Sequence, residues 1–166
     1  MTAEMRHEFV DGCIFAMAGA SLRHSDIKMN LTTWLRGKIP SGCGIYNGDV
    51  KLMVETNTDA AFYYPDVFIS CGPRDPQAHF LREASLVVEI LSPTTERTDR
   101  GEKFRAYTAM SSVTDYALVS QDGARVEVFR RKNTWMRETY AIDDLIELDA
   151  IAHRLPVAEI YRDIPF

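Results

Sequence analysis

The run Ser85-Leu86-Val87-Val88-Glu89-Ile90-Leu91-Ser92-Pro93 is apolar enough for a strand covered on both faces, yet it carries a glutamate where Val or Ile would ordinarily stand. Taking a carboxylate out of water is costly unless a cation or hydrogen-bond donors meet it, so any fold that buries this run must bring a partner to Glu89. A second acid, Asp66, stands at the mouth of another β-rich run, Tyr63-Tyr64-Pro65-Asp66-Val67-Phe68-Ile69-Ser70. Two apolar strands with one acid each suggest a metal site.

With 166 residues, 46% of them hydrophobic and 26% charged, the chain can bury a full core and is expected to form one domain over residues 1–166. No stretch approaches the roughly 18 apolar residues of a membrane helix. The N-terminal Met1-Thr2-Ala3-Glu4-Met5-Arg6-His7-Glu8 also lacks the basic flank and apolar segment of a signal peptide. A cytoplasmic protein without a membrane partner is therefore expected. Cys13, Cys43 and Cys71 are widely spaced and lack a C-x-x-C pattern, which points to reduced thiols in or near the core.

A net charge of −5 and a pI near 5.4 do not give the basic footprint of a typical nucleic-acid binder. The imbalance is local. From Glu138 to Phe166 seven acids face two bases, so residues 1–137 balance at zero. Basic residues cluster at Arg97, Arg100, Lys103 and Arg105, and again at Arg125, Arg130, Arg131, Lys132 and Arg137. Such clusters are most often solvated faces.

Phe9 to Met17 reads as a strand or hairpin around Asp11-Gly12, and Ala18-Gly19-Ala20-Ser21 is a break able to cap a helix. Ile27, Leu31, Trp34 and Leu35 then fall at i, i+4, i+7 and i+8, the core stripe of a helix ending near Gly37 or Pro40. Strands are expected at Ile45–Val54, Phe62–Cys71 and Leu86–Leu91, in succession as a meander. A helix over Asp99–Met110 turns Phe104, Tyr107 and Met110 inward. Further strands fall at Tyr116–Val119, Val126–Arg130 and Trp135–Tyr140. This order fits an α/β sandwich.

Glu8-Phe9-Val10-Asp11-Gly12, His24, Tyr64-Pro65-Asp66-Val67, Val88-Glu89-Ile90-Leu91-Ser92-Pro93-Thr94-Thr95, Asp99, Lys103 and Tyr107 together resemble the Uma-two family of restriction-endonuclease-like proteins, within the PD-(D/E)XK nuclease superfamily. The resemblance spans nearly the whole chain. It implies a restriction-endonuclease-like α/β core, a mixed central sheet flanked by helices, here with an N-terminal β-hairpin. It also implies a Mg²⁺- or Mn²⁺-dependent endonuclease acting on DNA, and by analogy a homodimer. One departure concerns the lysine that usually follows the second acid by two residues: that position is Leu91, and Lys103 is carried over as the displaced catalytic lysine. Asp49-Val50-Lys51 precedes the Pro-Asp motif and has the wrong order, so Asp49 is an accessory acid at most.

Phosphodiester hydrolysis needs a hard divalent cation, and carboxylate oxygens suit it. On this reading Asp66, Glu89 and the carbonyl of Ile90 are the metal ligands. Lys103 positions water and stabilises charge, and Glu8 and His24 complete the catalytic set. Plainer roles compete with each. Glu89 could pair with Arg97 or Arg105, Asp66 could cap a turn, and Lys103 could be solvated. His24 could serve only as a first-turn residue, and His7, His79 and His153 have no partner at ligand spacing. Trp34, Trp135 and the tyrosines fit a core better than a base-stacking platform. Ser92 lacks the context of a serine hydrolase. The alternative to an enzyme is a catalytically silent nucleic-acid-binding or protein-interaction module on the nuclease fold.

Overall fold

Alternation along the buried strands sorts the chain into layers. The computed structural model describes residues 7–10, 13–16, 20–55 and 60–166, the first two stretches by their backbone. The chain opens with β1 (His7–Val10) and β2 (Cys13–Ala16), the expected antiparallel hairpin. Helix α1 (Leu22–Arg36) follows, N-capped by the Ser21 hydroxyl, which accepts from the His24 N–H. Its stripe of Ile27, Leu31 and Leu35 is buried as the spacing requires, with Trp34 half-buried beside it.

Next come β3 (Gly44–Asn47), β4 (Lys51–Glu55), β5 (Ala60–Tyr63), β6 (Val67–Ser70), β7 (Phe80–Leu81) and β8 (Leu86–Ile90). A helical stretch over residues 96–109 runs through α2 (Glu96–Thr98), a π-helical turn at Asp99–Lys103 and α3 (Phe104–Ala109). The chain continues with β9 (Asp115–Val119), β10 (Arg125–Arg130), β11 (Arg137–Ala141), β12 (Leu145–Leu148), β13 (His153–Pro156) and α4 (Val157–Ile160).

Among the described residues these strands form a six-stranded sheet in the order β11-β10-β9-β8-β6-β3, a five-stranded sheet β2-β1-β5-β4-β7 and the ribbon β12-β13. The six-stranded sheet is mixed and central. On one face Val67, Ile69, Leu86, Val88, Ile90, Val119 and Val128 pack with α1, α4 and the ribbon. On the other, Phe68, Val87, Tyr116 and Leu118 meet Tyr107 of α3 and Leu52, Val54 and Tyr63 of the second sheet. Glu89 alternates onto this second face, under the 96–109 helix.

Two expected strands are in fact two strands each. Ile45–Val54 breaks at the Gly48-Asp49 turn, and Phe62–Cys71 breaks at Tyr64-Pro65-Asp66, where proline cannot donate to a ladder. The expected meander is corrected accordingly. β3, β6 and β8 are successive antiparallel neighbours, but the β4–β5 hairpin between them belongs to the other sheet. β9 then joins β8 in parallel, a pairing that requires a crossover, and the 96–109 helix supplies it.

Two readings of individual residues are also corrected. Arg130, grouped in sequence with a basic cluster, is buried. Its guanidinium meets the Glu138 carboxylate, the Tyr140 hydroxyl and the Glu147 carbonyl, with Asp115 Oδ1 at 3.7 Å. Cys43 and Cys71 are joined in a disulfide rather than left as thiols. They flank the Gly44–Ser70 pair of β3 and β6, so antiparallel pairing sets them opposite each other without any local motif. Thiol titration of the denatured, unreduced protein should return one free thiol per chain, from Cys13, whereas three would show the pair open. Because the bridge closes a separation of 28 residues, reduction should lower stability in urea by roughly 3.5 kcal/mol.

Candidate active site

The register of β6 against β8 creates the site. Val67 pairs with Val88, so the next step outward sets Asp66 opposite Glu89 at the end of the two strands. Backbone groups lock the two acids together. The Asp66 N–H donates to Glu89 Oε2 at 3.3 Å, and the Ile90 N–H donates to Asp66 Oδ2 at 2.9 Å. Asp66 therefore does more than cap a turn.

Glu89 is 3% exposed, and its charge is met from the 96–109 helix. Lys103 Nζ lies 3.2 Å from Oε1, and the Tyr107 hydroxyl donates to the same oxygen at 3.1 Å. Arg97 and Arg105, the other candidate partners, are exposed. Lys103 is itself 6% exposed and stands 3.4 Å from Asp99 Oδ1, one helical step back. Asp99 and Lys103 are the two ends of the π-helical turn, a rare irregularity that is frequent at functional sites. Burial raises the Asp99 carboxyl, and the neighbouring Lys103 charge works against that rise. Removing one partner from a buried pair of the Glu89–Lys103 kind costs roughly 3–5 kcal/mol, because the other charge is left without compensation.

Asp66 receives its partners from α1, across the sheet end. His24 Nε2 lies 3.1 Å from Oδ2, and Lys28 Nζ lies 2.9 Å from Oδ1. His24 and Lys28 are four residues apart, hence on one face of the helix. Lys28 had no signal of its own in the sequence beyond that spacing. His24 Nδ1 is buried and has no hydrogen-bond partner among the described residues. Burial pushes the Asp66 carboxyl up, but the His24 hydrogen bond, the charges of His24 and Lys28 and the Ile90 N–H outweigh it and hold the group at about 2.

Asp66, Glu89, Lys103 and His24 are thus brought together, and Ile90 joins them through its backbone. Glu8 lies on β1, and its side chain falls outside the described residues. Asp49 sits exposed in the turn before β4. Among the described residues no group of three or more His, Cys, Asp or Glu forms a metal-type cluster. Two adjacent carboxylates nevertheless fit a hard cation that keeps several waters, as Mg²⁺ does. Two ammonium groups stand beside them, so the centre combines carboxylate oxygens with cations.

The sequence profile of the Uma2 family, described as "Putative restriction endonuclease", matches residues 1–158. The chain is 38% identical over 165 residues to the uncharacterized protein slr1290 of Synechocystis, covering 97% of this chain and 86% of that protein. It is 29% identical over 133 residues to a second Synechocystis protein, the uncharacterized sll1609, covering 78% of this chain and 74% of the relative. A crystal structure from Anabaena variabilis, titled as a putative nuclease belonging to DUF820, superposes with a TM-score of 0.77. That match covers 96% of this chain and 91% of the other at 17% identity, a likeness of fold. No helix among the described residues is long and apolar enough to cross a membrane.

The Asp66 carboxyl lies lower in the folded than in the unfolded chain. The stability it contributes is therefore complete above the unfolded value of 3.8 and is lost as pH falls toward about 2. Denaturation of metal-free protein between about pH 4 and about pH 2 should cost the wild type roughly 2 kcal/mol more than Asp66→Asn. Equal losses would show that His24 and Lys28 do not hold Asp66 ionised.

Proposed function

Because the chain belongs to the Uma2 family, we propose that it is an endonuclease that hydrolyses DNA phosphodiester bonds with the help of a divalent metal ion. The observation that carries this reading is the convergence of Asp66, Glu89 and Lys103 in one buried polar centre at the end of the central sheet, with the ammonium 3.2 Å from Glu89. Lys103 reaches that centre from the crossover helix rather than from the strand, which accounts for Leu91 in the position two residues after Glu89.

Asp66 and Glu89 would hold the metal, with the Ile90 carbonyl as a third oxygen. Mg²⁺ or Mn²⁺, when bound, supplies acidity to water and neutralises charge growing on the phosphate. The protein's own groups do the rest. His24 and the Ile90 N–H orient Asp66, while Tyr107 holds Glu89. Lys103 positions the attacking water and stabilises negative charge as it develops, and Lys28 offers a second cation to the non-bridging oxygens. A homodimer belongs to this reading, since cutting two strands suits two sites related by a two-fold axis.

A silent binding module has one observation in its favour. Each carboxylate is already neutralised by a lysine, so the ionic network is complete without a metal. Calorimetric titration of Mg²⁺ or Mn²⁺ separates the two. The enzyme reading expects a binding event in the wild type that disappears in Asp66→Asn, and the module reading expects none in either. In a metal-dependent cleavage assay on plasmid, linear and single-stranded DNA, Glu89→Gln and Lys103→Met should each lower the rate by at least roughly 100-fold. Undiminished cleavage by Glu89→Gln would place the activity at another site or in a contaminant.

A further inference from the structure

Glu89, Leu118 and Glu127 lie in register across β8, β9 and β10, on one face of the central sheet. The same helix covers both acids. Lys103 meets Glu89, and Arg100, three residues earlier, grips Glu127 with two nitrogens at 2.7 and 3.0 Å. Beyond Glu127 this face opens into a groove of about 360 Å³ lined by Arg100, Phe104, Leu118, Phe129, Trp135 and Arg137. The two basic clusters of the sequence thus meet at one place, and the catalytic reading uses neither arginine.

The groove has an aromatic floor and a cationic rim. Phe104 and Phe129 pack edge to face with ring centres 4.9 Å apart. Trp135 enters from the β10–β11 connection, where Thr134 and Trp135 both adopt left-handed backbone, with φ of 52° and 60°. Two consecutive non-glycine residues in that region are unfavourable and persist where the surroundings impose them, commonly at ligand sites. The guanidinium of Arg131 lies over the indole at 4.9 Å and is tied to the carbonyls of Val113, Thr108 and Met110. These carbonyls fix its position without cancelling its charge. Arg137 is 63% exposed at the mouth, its guanidinium 3.9 Å from Glu127. With Arg100 already paired to Glu127 and Glu96, the guanidiniums of Arg131 over the indole and Arg137 at the mouth leave positive charge beside flat hydrophobic rings, which suits a planar aromatic ligand that carries negative charge.

The geometry points to a subsite for an unpaired nucleobase of a single-stranded nucleic acid, stacked against Trp135 with its phosphate at Arg137. The choice of a strand over a free nucleotide rests on the nuclease reading of the Asp66–Glu89 centre. Glu89 and Glu127 lie in one cross-strand row, two strand spacings or roughly 10 Å apart. The groove and Glu89 therefore share one face of the central sheet, under the same helix. A base within a duplex is stacked on its neighbours and cannot enter such a groove without being flipped out.

Fluorescence anisotropy in chelator, which prevents metal-dependent cleavage, tests the subsite with a labelled oligonucleotide of about 12 residues as single strand and as blunt duplex. The wild type should bind the single strand at least about 10-fold more tightly than the duplex. Trp135→Ala should weaken single-strand binding about 10-fold, while Trp135→Phe keeps most of it. Arg137→Ala alters an exposed side chain and stays informative if Trp135→Ala does not fold. It should lower the slope of log affinity against log salt by about one. No single-strand binding, equal or tighter duplex binding, or unchanged affinity and salt slope in the variants would overturn the subsite. Binding that behaves as expected without cleavage under any metal removes the nuclease reading and leaves the groove standing, whereas cleavage with unaltered binding in the groove variants removes the groove alone.

Discussion

A carboxylate within a buried strand is the constraint on which the rest of this molecule depends. Glu89 can sit buried near the end of a central strand because an ammonium and a phenol reach it from the crossover helix and the Asp66 N–H meets its other oxygen. That requirement fixes the position of the helix over β8, and with it the path from β8 to β9. Had the position been Val, a helix with an ordinary apolar stripe could have covered the strand in several registers. An ion pair with an added hydrogen bond accepts far fewer.

The same logic spreads outward through the sheet. The 96–109 helix is pinned at two acids, Glu89 and Glu127, two strands apart in one cross-strand row, with Leu118 filling the space between them. From the opposite face α1 sends His24 and Lys28 around the sheet end to Asp66. The polar centre therefore lies where two helices on opposite faces both reach the mouth of β6 and β8. Charge compensation there comes from these two helices, which are far apart in sequence. A centre tied to both helices in this way suits the electrostatic role proposed for it.

Much of this was legible residue by residue. The α1 stripe, the Ser21 cap, the N-terminal hairpin and the strands β8 to β10 follow from periodicity and turn chemistry, and burial bears out the apolar positions of α1 and of β8 to β10. The resemblance to the Uma-two family led to the family that the profile match establishes. Asp66, Glu89, Lys103 and His24 stand out in the sequence, and the structure brings them together. Lys28 was missed because a helix lysine acquires meaning only when something charged faces it. The disulfide was missed because no local spacing marks two cysteines that pair across strands. The strand runs at 45–54 and 62–71 were read as continuous because alternation persists through a turn, whereas sheet membership does not.

The amino-acid order alone determined that a charge had to be buried beside Val88 and Ile90, that its partner had to come from elsewhere in the chain, and that the apolar runs had to form sheets covered by helices. Those conclusions rest on local properties: hydrophobic period, turn residues and the cost of desolvating a carboxylate. Only the tertiary structure decided which cation meets which acid, since that depends on strand register and on the side from which each helix arrives. A shift of one residue in the β6–β8 pairing would part Asp66 from Glu89 and turn every side chain to the other face.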